Sequence, residues 1–263
     1  MKALASYIET AYGKTYLLIS GNENLQPLVL LHGAGANITF WLQNIEVLSK
    51  HFCLYLIDII GEAGKSAATR PFFKSKVYAF WLKEVLSQLR LDQVALCGTS
   101  FGAVLAYRFA LLYPQMVRSL LLIAPASLLK PRISFILRAT LANIVPGKWG
   151  VMSFLKYMSS KASDFSEQDI QAFITQFKAY KPNPEIIGMP AISDEELSSL
   201  PQKTCILLGE HEVLYDLSKA VRRVKTIAPG LTVEVISDAS HTVSLDNSAL
   251  FHEAAIKFCS ALE

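Results

Sequence analysis

VALCGTSFGAVLAYRFA, residues 94–110, decides how this chain is read. A short apolar run leads into Gly98-Thr99-Ser100-Phe101-Gly102, and a strongly helical segment follows. A G-x-S-x-G pattern between a buried strand and a helix stands its serine on a turn so sharp that side chains two positions to either side would collide. Gly98 and Gly102 meet that steric demand. The start of the following helix supplies oriented backbone amides beside the hydroxyl. Ser100 is therefore the candidate nucleophile.

Working outward, short apolar runs recur, each followed by a turn and a segment of helical period. LVLLHG (28–33), FCLYLID (52–58), VALCG (94–98), VRSLLLIAP (117–125), TCILLGE (204–210) and LTVEVIS (231–237) read as strands buried on both faces, as a parallel sheet covered by helices requires. Between them ITFWLQNIEVLSK, KVYAFWLKEVLSQL, FGAVLAYRFALLY, DLSKAVRRVKTIA and the C-terminal SALFHEAAIKFCSALE place apolar residues three and four apart. The opening SYIETAYGKTYLLIS suits an antiparallel hairpin at a sheet edge. The expected fold is α/β, with a mostly parallel central sheet and helices on both faces. Residues 127–200 break the alternation: RISFILRATLANIV, WGVMSFLKYMSSKA and SEQDIQAFITQFKAY are short amphipathic segments punctuated by Pro146, Pro182, Pro184 and Pro190. They read as a helical cap inserted at the carboxyl edge of the sheet, where such folds bind ligands. The expected division is a core of residues 1–126 and 201–263 with a cap of 127–200.

Composition narrows the function. At 263 residues the chain suits one α/β unit with an insertion. A hydrophobic content of 52% is high, yet no stretch reaches the roughly 18 uncharged apolar residues of a membrane span. Net charge is only +3, and Lys and Arg look scattered, so neither nucleic acid nor an anionic membrane surface is implied as a partner. MKALASYIETAYGKTY lacks the apolar run of a secretory signal, which makes a cytoplasmic location the expectation. Cys53, Cys97, Cys205 and Cys259 show no C-x-x-C spacing and read as buried free thiols; the five histidines show no H-E-x-x-H spacing. No metal and no organic cofactor are expected.

A serine hydroxyl needs a base, and the base needs an orienting carboxylate. His241, in the loop ISDASHTVSLDN between the last strand and the last helix, projects over the carboxyl edge of the sheet and is the candidate base. His51 and His252 lie in helical segments, His211 in a strand-end loop, and His32 opens the loop after an early strand. For the acid, GEHEVLYD follows the strand TCILLG and offers Glu212 first; Asp216, which also suits a helix N-cap, is the alternative, with Glu210 and Asp238 behind. HGAGAN, after LVLL, brings the Ala34 amide toward a developing oxyanion, and the Phe101 amide is the second donor.

GEAGKS (61–66) invites a nucleotide-binding reading, but G-x-x-x-x-G-K-[ST] needs a glycine where Ile59 stands. With HGAGAN, DIIGEAGKS, GTSFGA, GEHE and SHTVS in this order, the chain resembles the cap-bearing branch of the α/β-hydrolase superfamily over nearly its whole length. There GEAGKS matches a D-x-x-G-x-G-x-S turn opening at Asp58 that shapes the edge of the active site, with Gly64 and Ser66 each one place late. The family's acid is more often aspartate, and its usual glycine before the histidine is Ser240 here. Relatives that hydrolyse haloalkanes or epoxides carry an aspartate nucleophile where this chain has Ser100.

The expected activity is that of a serine hydrolase, carboxylesterase-like, which cleaves an ester or related acyl compound with a small to medium hydrophobic part through an acyl-enzyme. A small-molecule acyl substrate is the implied partner. The alternatives are another triad enzyme of the same fold (haloperoxidase, carbon–carbon bond hydrolase, lactonase or thioesterase) and a slow-turnover ligand sensor.

Overall fold

The computed structural model describes residues 3–73, 75–145 and 148–260. Pro146, the first two residues of the N-terminal stretch and the last three of the C-terminal helical run lie outside them. The chain opens with β1 (Ala3–Thr10), β2 (Gly13–Ser20) and β3 (Pro27–Leu31). A 3-10 turn at Ile38–Trp41 leads into α1 (Leu42–Leu48), then β4 (Cys53–Ile57), α2 (Val77–Gln88), β5 (Val94–Thr99), α3 (Phe101–Leu112) and β6 (Val117–Ile123). Five helices follow without a strand: α4 (Ile133–Ile144), α5 (Trp149–Met158), α6 (Glu167–Ala179), α7 (Pro184–Ile187) and α8 (Asp194–Ser198). The alternation resumes with β7 (Thr204–Gly209), α9 (Leu217–Ile227), β8 (Thr232–Ile236), α10 (Val243–Asp246) and α11 (Ser248–Ser260).

The eight strands form one sheet in the order β1-β2-β4-β3-β5-β6-β7-β8. β1, β2 and β4 pair antiparallel, and every pairing from β4 to β8 is parallel. Strand order doubles back around β3, so β3 and β5 lie side by side and the turns after them open at the same edge. Each face carries its own core. One is covered by α2, α3 and α9 through Trp81, Phe101, Phe109 and Val224; the other by α1 and α11 through Trp41, Leu48 and Phe251. β3, β5 and β7 are buried almost throughout, which is why their sequences carry no polar alternation.

β8 departs from the expectation of a strand buried on both faces. It pairs only with β7, and Thr232 and Val235 are exposed while Val233 and Glu234 are half-buried, because the last strand of an open sheet has a neighbour on one side only. All four cysteines are buried and unpaired. Among the described residues no helix is long and apolar enough to cross a membrane.

The inserted helices are delimited by local chemistry. Ser166 and Asp169 form a reciprocal capping box at the start of α6, and Ser193 and Glu196 do the same for α8, satisfying amides that a helix start leaves without partners.

Candidate active site

Ser100 sits between β5 and α3 with φ +51°, in the left-handed region that a side chain normally avoids. The backbone around it is clamped: its N–H donates to the Ile123 carbonyl at 2.8 Å, and its carbonyl accepts from Ala126 and Val104. A Cβ on Gly98 would run into the Gly102 carbonyl, and one on Gly102 into the carbonyls of Leu31 and His32. Two crowded glycines thus let a strand, a helix and the end of β3 meet under one serine.

His241 faces it from the loop before α10. Its Nε2 lies 3.1 Å from the Ser100 Oγ, and its Nδ1 lies 2.9 and 3.1 Å from the two Glu212 carboxylate oxygens. Glu212 Oε1 also accepts the Leu214 N–H at 2.8 Å, which fixes the carboxylate. The His241 and Glu212 side chains are 3% and 0% exposed, so water screens little of their interaction. Burial opposes charge on His241, but the field and hydrogen bond of Glu212, with Asp246 further off, outweigh it and hold the imidazole pKa above its ordinary 6.5.

Of the other acids considered, Asp216 caps α9 by accepting the Lys219 N–H at 2.9 Å and lies 3.8 Å from Arg132, which lowers its pKa. Glu210 accepts the Asp238 N–H. With His211 these two make an exposed trio whose donor atoms lie within 4.8 Å of one another, and none of the three is hydrogen-bonded to His241 among the described residues. His51 is exposed, and His252 is buried against Asn44.

The loop after β3 lies beside the serine: a Cβ on Gly33 would stand 3.5 Å from that of Ser100. His32 shapes this loop as a neutral ring, its pKa lowered by burial. Its Nδ1–H donates to the Gly33 carbonyl, and its Nε2 accepts the Ile59 N–H. Within the turn the Ala36 amide donates to Gly33 and the Gly35 amide to Glu62, which leaves the Ala34 amide between them without a backbone acceptor among the described residues. The Phe101 amide is the first of α3, one that a helix does not satisfy itself.

Two contributors, Glu62 and Asp246, escape a reading of motifs, and Asp58 does more than open its turn. Glu62, inside GEAGKS, reaches back 27 positions to accept the Gly35 N–H at 2.5 Å. Burial pushes its carboxyl pKa up to about 7, against the Gly35 amide, Tyr180 and Arg70. Asp58, the start of the same turn, accepts the Ile38 and Lys65 amides, and a Cβ on Gly64 would strike its carboxylate. Asp246 receives the Ser240 N–H and the hydroxyls of Thr242 and Ser159, and so holds the His241 loop in place. The only sequence signal for Asp246 is an acid five residues after the histidine.

The inserted helices reach this site. The Met158 carbonyl accepts the His241 N–H at 3.0 Å, and the Phe135 ring of α4 lies 6.1 Å from the imidazole, followed by Phe154 and Phe177 in mutual contact. The Ser100 hydroxyl, the His241 imidazole and the buried Glu212 carboxylate therefore meet in one line beneath the Phe135 ring, beside the loop after β3 and the start of α3. This is the set needed to attack a carbonyl and hold the charge that forms.

Comparison with known proteins places the chain in a family. The model of the alpha/beta hydrolase fold family matches residues 26–149. The carboxylesterase nap of Bacillus subtilis (strain 168) is 33% identical over 97% of this chain and 86% of its own, and carboxylesterase YbfK of the same organism is 29% identical over 97% and 87%. The crystal structure of naproxen esterase from Bacillus subtilis superposes with a TM-score of 0.87 at 33% identity, covering 98% of this chain and 91% of that one.

Proposed function

The chain belongs to the α/β-hydrolase family as an ester-cleaving, carboxylesterase-like member, and from that premise we propose that Ser100, His241 and Glu212 are its catalytic triad. The observation that carries the assignment is the unbroken line from the Glu212 carboxylate through both imidazole nitrogens to the Ser100 oxygen, with contacts of 2.9 and 3.1 Å.

In this reading Glu212 holds the Nδ1–H tautomer, leaving Nε2 free to accept the hydroxyl proton as Oγ attacks the ester carbonyl. The carbonyl electron pair moves onto oxygen, and the Ala34 and Phe101 amides receive it. Collapse expels the alkoxide, which takes the proton back from Nε2. A water then enters by the same route, releases the acid and restores the serine.

Helices α4–α8 act as the cap, and the Phe135–Phe154–Phe177 string supports a hydrophobic acyl or alcohol part. Asp216 serves as a helix cap in this account, and the chain works in the cytoplasm. The test is a fluorophosphonate probe read by mass spectrometry on wild type, Ser100→Ala and His241→Ala. Labelling vanishes in the first variant and falls steeply in the second, whereas equal labelling of all three would falsify the triad. A panel of nitrophenyl esters, lactones and acyl thioesters ranks the substrate classes.

A further inference from the structure

The fold leaves an unusual set of side chains in water on the outer face of the inserted helices. On α4, Ile133, Leu137, Leu141 and Ile144 are 75%, 58%, 54% and 69% exposed, and Trp149 at the start of α5 is 77% exposed. At 100° per residue the four α4 positions fall in an arc of about 80°. The opposite arc holds Phe135, against His241, and the buried Ala142. α4 is thus apolar on two sides, one turned to the active site and one turned away from the protein.

The charge around this ridge has a single sign. Residues 127–163 contain Lys130, Arg132, Arg138, Lys148, Lys156 and Lys161 and no aspartate or glutamate, whereas the rest of the chain carries 19 basic against 22 acidic residues. All six are exposed. Arg132 lies 3.8 Å from Asp216 and Arg138 stacks 4.5 Å over Tyr157; among the described residues the four lysines have no carboxylate within ion-pair range.

We propose that this face of α4 and the start of α5 docks on an anionic lipid surface. Ile133, Leu137, Leu141, Ile144 and Trp149 enter the boundary between headgroups and acyl chains, and the flanking lysines and arginines meet the headgroup phosphates. An exposed apolar stripe edged by cations, with an indole at one end, is the chemistry of an interfacial helix. A second copy of this chain is the poorer occupant, because a two-fold contact through the same face sets its cations against their own images. Docking here places the inner side of α4, and with it His241, directly beneath the lipid, so that esters dissolved in the bilayer have a short way in.

The test uses the intact chain in sedimentation with vesicles of phosphatidylglycerol and of phosphatidylcholine. Wild type binds phosphatidylglycerol at least about tenfold more tightly, and added salt weakens the binding. Leu137→Ser with Leu141→Ser, and separately Lys130→Glu with Lys148→Glu, each lower the affinity about tenfold or more, with circular dichroism and thermal midpoint unchanged. Should the leucine pair melt early, Trp149→Ser alone makes the same point from a position outside the core. Wild type that stays in the supernatant, equal binding to both lipids, or variants that bind like wild type overturn the proposal. A lipid-free dimer in light scattering that the leucine variant dissolves also overturns it, and assigns the face to a second copy.

Discussion

All six residues of β5 are buried, whereas of the twelve in α4 Ala142 is buried and four large apolar side chains stand in water. Both are apolar, and both reach the active site, β5 by its last residues and α4 through Phe135 in its first turn. The difference lies in what surrounds them. β5 has a strand on each side and helices on both faces, so a bulky or polar change there has nowhere to go. α4 presses one side on Phe154 and His241 and faces nothing with the other. In the proposed reading, one region fixes the position of the chemistry and the other governs what comes to it.

The sharpest way to break that division is at the buried carboxylate. Glu212→Gln should lower kcat by about three orders of magnitude or more, because an amide favours the wrong imidazole tautomer, while Asp216→Asn leaves kcat nearly unchanged. A steady-state assay on a water-soluble ester compares them directly. If Asp216→Asn proved the more damaging of the two, the acid would have to be reassigned. Next in size is the backbone beneath the serine. Gly98→Ala forces a methyl group into the Gly102 carbonyl and should cost roughly 3 kcal/mol or more, well above any single truncation on the outer face of α4, as measured by denaturant unfolding.

pH separates the two catalytic partners more finely. With His241 as the proposed base, activity needs its neutral form, and its pKa is held above 6.5, so kcat/KM should rise with pH along a limb centred above that value. In Glu212→Gln the residual limb should move to lower pH, because burial then acts on the imidazole against the field of the more distant Asp246 alone. For stability the sign is opposite: the raised pKa favours the folded state below about 6.5, and that advantage disappears as pH rises through the folded value.

A pH-dependent effect on stability alone concerns Glu62. Its folded carboxyl binds a proton more tightly than an ordinary glutamate, with a pKa near 7 against 4.5, so the folded state loses stability as pH climbs between those values. Glu62→Gln escapes this loss, and its unfolding free energy should gain on wild type by up to about 3 kcal/mol from pH 5 to 8. Parallel pH profiles for the two proteins would show that the buried carboxyl is not perturbed.

These contrasts also explain what was readable from the letters. The elbow was legible because its glycines answer a local steric demand and the nucleophile sits between them. The order of the strands, and with it the loops that carry Glu212 and His241, follows from the same alternation that marks a parallel sheet. Glu62 was hidden because its partner, the Gly35 amide, is brought near only by the sheet. The outer face of α4 was hidden for a different reason: apolar residues three and four apart look the same whether they face a core or water. The basic segment escaped notice because its mark is the absence of acids, which a net charge of +3 conceals. β8 was overread because apolar letters do not reveal that the sheet ends there.

Three consecutive residues stitch the insertion to the base: the Met158 carbonyl holds the His241 amide, the Ser159 hydroxyl meets Asp246, and the Ser160 hydroxyl donates to the Asp238 carbonyl. Anyone exchanging this insertion for that of a relative to change substrate range should cut on its far side and leave this seam whole. A graft that moved those stitches would surrender the alignment of the imidazole along with the old specificity.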